Sequence, residues 1–152
     1  MGMSKSGLYA YFTSKQDLQL ATIDCAWTIF EEHVLAPGDD GIEPLLERWI
    51  SYYEREVFPG GCPFLTAGME FANREGPVHD ALATAIERQI GALERALRDA
   101  LPDGADPAQL AFELHALLTA ANHRYRISRD PAAFAQGRAA IRRLLAQALP
   151  PS

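Results

Sequence analysis

"MGMSKSGLYAYFTSKQDLQLA", residues 1–21, decides how the rest of this chain is read. Ser4 is placed to cap a short helix running from about Lys5 to Phe12, and Ser14-Lys15-Gln16-Asp17 resembles a capping box that opens a longer helix. The two helices meet at Thr13. The first presents Lys5, Ser6, Tyr9 and Tyr11, and the turn leads directly into the Lys15-led helix. Hydroxyls and ammonium groups at one helix end reach phosphates and base edges, and the partial positive charge of the second helix's N-terminus adds to that reach. Leu8 and Phe12, a turn apart, form the opposite, anchoring side. On chemistry alone two readings of this stretch stand: a DNA reader, or ordinary packing of Tyr9 and Tyr11 between helices with Lys15 in solvent.

Beyond the opening, the chain reads as helices separated by Gly/Pro punctuation, with no sustained strand alternation and no internal repeat. The expected class is all-α. Leu20, Ile23, Trp27, Phe30 and Val34 recur at helical spacing along one face until "APGDDG" at 36–41 stops the helix. A third helix is expected from about Ile42 to Val57, ending at "FPGGCP", and a shorter one from Pro63 to about Asn73. Pro77 opens a long helix with Leu82, Ile86, Ile90, Leu93, Leu97 and Leu101 on one stripe. Asp106-Pro107 and Asp130-Pro131 repeat one start signal, a capping Asp before Pro, and open the last two helices, about 107–128 and 131–149.

Composition removes several function classes. Hydrophobic residues at 48% and charged residues at 22% are ordinary globular usage, so a chain of 152 residues can build one buried core. No apolar run is long enough to span a bilayer and the first residues lack a signal-peptide core, so no membrane partner and a cytoplasmic location are expected. Cys25 and Cys62 form neither a disulfide framework nor a metal-site spacing, and both are read as reduced. No metal or other cofactor is expected. The net charge of −6 excludes a surface that binds nucleic acid everywhere, so any DNA contact is local to the slightly basic opening. A catalytic role is not expected either: there is no phosphate loop, no HExxH and no nucleophile elbow. His33, His79, His115 and His123 are scattered, and Cys62 beside Glu70 is too little for a thiol nucleophile.

The order of residues in "GMSKSGLYAYFTSKQDL", 2–18, resembles the recognition-helix signature of the TetR family of bacterial transcriptional regulators. The matching positions are Gly2, Met3, Ser4, Leu8, Tyr9, Tyr11, Phe12, Ser14, Lys15 and Leu18. "GGCPFLTAGMEFANREGPVHDAL" and "DPAAFAQGRAAIRRLL" are similar to effector-domain segments of one branch of that family. The resemblance implies a ligand-responsive repressor: an all-helical TetR-like homodimer, with residues 1–20 as part of a DNA-reading domain and 21–152 as an effector-binding and dimerisation domain. It assigns Lys5, Ser6 and Gly7 to base or backbone contacts on operator DNA and Tyr9, Tyr11 and Lys15 mainly to phosphates. Gly2-Met3 occupies the turn of the helix-turn-helix, so the two helices that the family carries before it are expected to be missing from this chain. An isolated helix of about eight residues is too short to be stable alone, so weak operator binding is expected. The competing reading is a ligand-binding and dimerisation remnant that no longer reads DNA.

Family effectors bind among the long helices, and the resemblance makes Trp27, Phe30, Trp49, Tyr53, Phe64, Met69 and Phe71 candidate walls for a small apolar or aromatic effector. Residue by residue the core reading is the stronger, since large apolar groups at helical spacing usually pack inside. His115 and Asn122 share a helix face and are candidates for polar groups in that pocket, or for hydrogen bonds across a subunit interface. The resemblance also places the homodimer at the last two helices. The expected faces are Leu110, Leu114, Leu117 and Ala121 with Phe134, Ile141, Leu145 and Leu149, with small residues between them to permit close approach. Arg138, Arg142 and Arg143 are expected to be solvated or ion-paired rather than a second DNA patch.

Overall fold

Capping residues divide the chain before packing acts on it. The structure, a computed structural model, describes residues 11–36, 38, 40–58 and 60–149, and among them it contains α-helices and no strand. The helices are α1 (Lys15–Phe30), α2 (Ile42–Glu54), α3 (Pro63–Phe71), α4 (Pro77–Arg98), α5 (Pro107–Ser128) and α6 (Ala132–Ala148). Most of the expected Lys5–Phe12 helix lies outside the described residues. Ser14 accepts a hydrogen bond from the Asp17 N–H at 3.0 Å and opens α1. One carboxylate oxygen of Asp106 accepts from Ala108 and Gln109 at 3.0 and 3.1 Å, and Asp130 accepts from Ala132 at 2.9 Å. Pro63, Pro77 and Pro107 each occupy a first turn, where their missing N–H costs no hydrogen bond.

One local departure follows α1. Residues Glu31–Leu35 form a π turn, closed by the Ala36 N–H donating to the Glu31 carbonyl at 2.7 Å. The wider turn is stabilised from α2. Arg48 donates through Nε to the Val34 carbonyl at 2.9 Å, through Nη1 to both Asp40 oxygens at 2.8 Å, and through Nη2 to the Gly38 carbonyl at 3.1 Å. A single guanidinium thus ties the connection back onto α2, and its hydrogen bonds hold the Asp40 carboxyl below the usual range.

α4 is the central element, packed against α1, α2, α3 and α5, while α5 and α6 lie against each other. The core gathers Phe30, Trp49, Ile50, Phe64, Leu93, Leu97, Leu114, Leu118 and Phe134, all nearly or fully buried. On the α2–α6 side, Arg138 chelates two acids: its guanidinium meets Glu54 at 2.7 Å through two nitrogens and Glu47 at 2.7 to 3.2 Å. It is therefore an ion-paired clamp between helices, and it holds the Glu47 carboxyl below its ordinary value.

The apolar faces expected at a dimer seam turn mostly inward. Leu110, Leu114 and Ala121 of α5, and Phe134, Ile141 and Leu145 of α6, are buried in the chain's own core. α5 is apolar on two sides, so spacing alone does not say which side is taken by its own chain. Close approach of α5 and α6 does occur, at a helical glycine: a Cβ on Gly137 would stand 2.8 Å from the Ala121 Cβ. Gly137→Leu is accordingly expected to force the helices apart and cost about 1–3 kcal/mol of stability, read as a lower urea midpoint. An unchanged midpoint would show that this crossing is loosely packed.

Candidate functional site

Three regions offer candidate sites: the start of α1, the space around its buried end, and the outer side of α5 and α6. Of the residues expected to meet DNA, Lys5, Ser6, Gly7 and Tyr9 lie outside the described residues. Tyr11 is 79% exposed and Lys15 is exposed at the first turn of α1. The adjoining α1 N-terminus already carries local partners: Ser14 caps it, and the Thr13 hydroxyl donates to the Asp17 carboxylate, which sits below its usual pKa. Asp17 therefore offsets part of the positive helix end that the sequence led us to expect, leaving the Lys15 ammonium as the cation there.

At the other end of α1, the expected effector walls form one aromatic cluster. The Phe30 ring centre lies 4.9 Å from Trp49, 5.5 Å from Trp27, 5.7 Å from Tyr52 and 6.2 Å from Phe64. Trp49 Nε1 donates to the Tyr53 hydroxyl at 2.8 Å, and burial pushes the Tyr53 phenol above its ordinary pKa. His115 stands edge-on to Trp49 at 6.0 Å, with Nε2 3.5 Å from Gln89 Oε1. Burial lowers the pKa of this imidazole, so it is neutral at pH 7. Gln89 and Asn122 are fully buried, and Gln89 Nε2 and Asn122 Oδ1 lack a hydrogen-bond partner among the described residues. Met69 stands apart from this group, 79% exposed on α3.

The open space lies beside the cluster. A cavity of about 280 Å³ is walled by α1, α3 and the start of α4, with Leu18, Ile23, Ala67, Phe71, Val78 and Leu82 among its lining. Phe64 and Phe71 are shared between this wall and the expected effector set. Gln19, Thr22 and Glu70 supply its polar edge, and the Thr22 hydroxyl is already bonded to the Leu18 carbonyl at 2.7 Å. The rest of the lining was not legible residue by residue, because the space comes from small groups, Thr22 and Ala26 of α1 and Ala67 of α3, facing one another. The available signal was α3 itself, "PFLTAGMEF", apolar nearly all round yet too short to bury every side.

A third surface lies on the outer side of α5 and α6. Phe112, Ala116, Leu117 and Ala120 meet Ala140 and Leu144 along a shallow groove, and Phe112 is 61% exposed. Among the described residues no helix is long and apolar enough to cross a membrane.

Comparison with known proteins agrees with this architecture. A family model described as "Tetracyclin repressor-like, C-terminal domain" matches residues 38–141. Among solved structures, the chain is similar to a transcriptional regulator of the TetR family from Cytophaga hutchinsonii, with a TM-score of 0.82 and 20% identity over 99% of this chain and 80% of that one. It is also similar to a TetR transcriptional regulator from Chloroflexus aurantiacus J-10-FL, with a TM-score of 0.81 and 22% identity over 94% of this chain and 78% of that one. The reduced form of E. coli NemR matches with a TM-score of 0.70 and 22% identity over 93% of this chain and 80% of that one. No curated protein matches.

Proposed function

The chain belongs to the TetR-like family of transcriptional regulators, and from that premise we propose that it is a ligand-responsive repressor that acts as a homodimer. The observation that carries this reading is the course of α1. The helix begins at Lys15, beside the stretch that resembles a DNA reader, and ends at Phe30 in the middle of the aromatic cluster. The proposed boundary at residue 20 between the reading and effector parts falls inside this helix, so the two parts share a rigid element. A ligand that favours one placement of α1 over another changes the spacing of two reading heads, and differential affinity of this kind typically amounts to about 1–3 kcal/mol. Arg88 fastens the far end. Its guanidinium lies 3.7 Å over the Trp27 ring and 3.1 Å from Glu31, joining α4 to the last turn of α1.

In this reading Lys5, Ser6 and Gly7 meet bases or backbone, and Tyr9, Tyr11 and Lys15 meet phosphates. No catalytic step is proposed. A helix of about eight residues is too short to be stable alone, and weak operator binding is the expectation to be tested for the 152 residues. Selection from randomised duplexes, followed by gel-shift titration at low salt, tests this with the 152-residue chain and with a chain carrying two further helices upstream. Selective binding by the longer chain supports the repressor. Its absence in both favours a ligand-binding and dimerisation remnant, and nanomolar binding by the shorter chain removes the claim of weak binding.

Lys15→Ala is expected to weaken binding of the longer chain to all sequences alike and to lower the salt slope by about one. A slope unchanged by the substitution would place Lys15 in solvent.

A further inference from the structure

We propose that the cavity between α1, α3 and α4 is the effector site and that it takes an apolar molecule of about two fused rings bearing a cationic head, with Glu70 as its counter-charge; the proposal rests on the ligand-responsive reading above. The aromatic cluster leaves no room for a ligand, since Phe30, Trp49 and Phe64 fill it with their own rings. The space beside it is bounded by three helices and holds about 280 Å³, close to the lower end of ordinary ligand pockets.

The charge of the wall selects the head group. Among the described residues, Glu70 is the one charged group in the lining. Its present partner, Arg74, is 3.7 Å away, and both side chains are more than half exposed, so the pair is held weakly. The same guanidinium lies 4.8 Å over the ring of Phe71, which also lines the cavity. Arg74 thus sits where a ligand ammonium would sit, between an aromatic face and a carboxylate, and it can swing into solvent when displaced. The site also has the right neighbour for coupling. Leu18, Thr22 and Ala26 follow one another by single turns along α1, so an occupant bears on two turns of the helix that begins at Lys15.

Isothermal titration of the 152-residue chain with naphthylethylamine, naphthylethanol and naphthylacetate tests the assignment, since the three share an apolar body and differ in head charge. The amine is expected to bind about fivefold more tightly than the alcohol, and the carboxylate most weakly. Glu70→Gln should erase the gap between amine and alcohol, Glu70→Lys should reverse the order of amine and carboxylate, and Arg74→Ala should tighten the amine. Ala67→Trp should abolish binding of all three; if circular dichroism shows that variant unfolded, Thr22→Trp at the mouth replaces it.

Carboxylate binding as tight as the amine, amine binding indifferent to Glu70→Gln, or no binding of any probe overturns the proposal. So does a change of oligomeric state in the tryptophan variant, which would give the groove to a second copy. Loss of amine binding in a chain extended upstream would assign the groove to polypeptide and overturn it as well. The regulator reading is decided separately by the ligand-free gel shift, so either can fail without the other.

Discussion

Phe30→Ala is expected to lower stability by about 3–5 kcal/mol, a large share of the roughly 5–15 kcal/mol that holds a domain of this kind together. The ring is fully buried and has four aromatic neighbours from α1, α2 and α3 within 6.2 Å, so its removal opens a cavity that no single neighbour can fill. Three of those contacts, with Trp49, Tyr52 and Phe64, are edge-to-face at 71°, 88° and 90°, an arrangement that contributes beyond area alone. The loss falls on the attachment of α1, because Phe30 is its last residue before the π turn. Urea unfolding should show the lower midpoint, and near-ultraviolet circular dichroism should lose the signal of Trp27 and Trp49. Phe30→Leu keeps most of the volume and is expected to cost less than half as much. A Phe30→Ala penalty under about 1 kcal/mol would mean that the site collapses freely, and the view of α1 as rigidly anchored would go with it.

Much of this arrangement was legible in the sequence where the cause is local. The Asp106-Pro107 signal predicts a helix over 107–128; α5 starts there because one carboxylate oxygen satisfies the N–H groups of Ala108 and Gln109, and it ends at Ser128, where Arg129 turns left-handed. The Asp130-Pro131 signal is shifted by a residue, with α6 beginning at Ala132. The π turn was not legible, since the Val34 carbonyl that it frees is satisfied by Arg48, fourteen positions on, in another helix. The candidate walls show the same limit. Trp27, Phe30, Trp49, Tyr53 and Phe64 do come together, but large rings at helical spacing fill space. The cavity beside them depends on where small side chains of α1 and α3 face each other beneath the start of α4. Sidedness was the harder question: Leu110, Leu114 and Ala121 share a face of α5, yet only packing shows that α5's own chain covers it.

That assignment moves the proposed dimer seam to the other side of the same helices, and Phe112→Asp is expected to convert dimer to monomer. Phe112 is 61% exposed and heads a groove of small residues, Ala116, Ala120 and Ala140, flanked by Leu117 and Leu144. Edged by Glu113, Arg143 and Gln147, an exposed apolar strip of this kind suits a partner surface. Small side chains let a second helix pair come close, and a self-complementary twofold contact makes each strip the partner of its own copy. In such a contact one substitution acts twice, placing two carboxylates in a desolvated seam where an aromatic anchor stood. A loss of about 2–4 kcal/mol, or thirtyfold to a thousandfold in dissociation constant, is expected from an anchor of this type. Sedimentation velocity at micromolar concentration should give a dimer for the parent chain and a monomer for the variant. Helical circular dichroism of the variant should persist as far as the monomer is stable alone, because in the single chain Phe112 already faces water. Leu114→Asp provides the contrast: Leu114 is fully buried within the chain, so its substitution should unfold the protein rather than split it. If Phe112→Asp and Leu144→Asp both remain dimeric, the seam lies elsewhere.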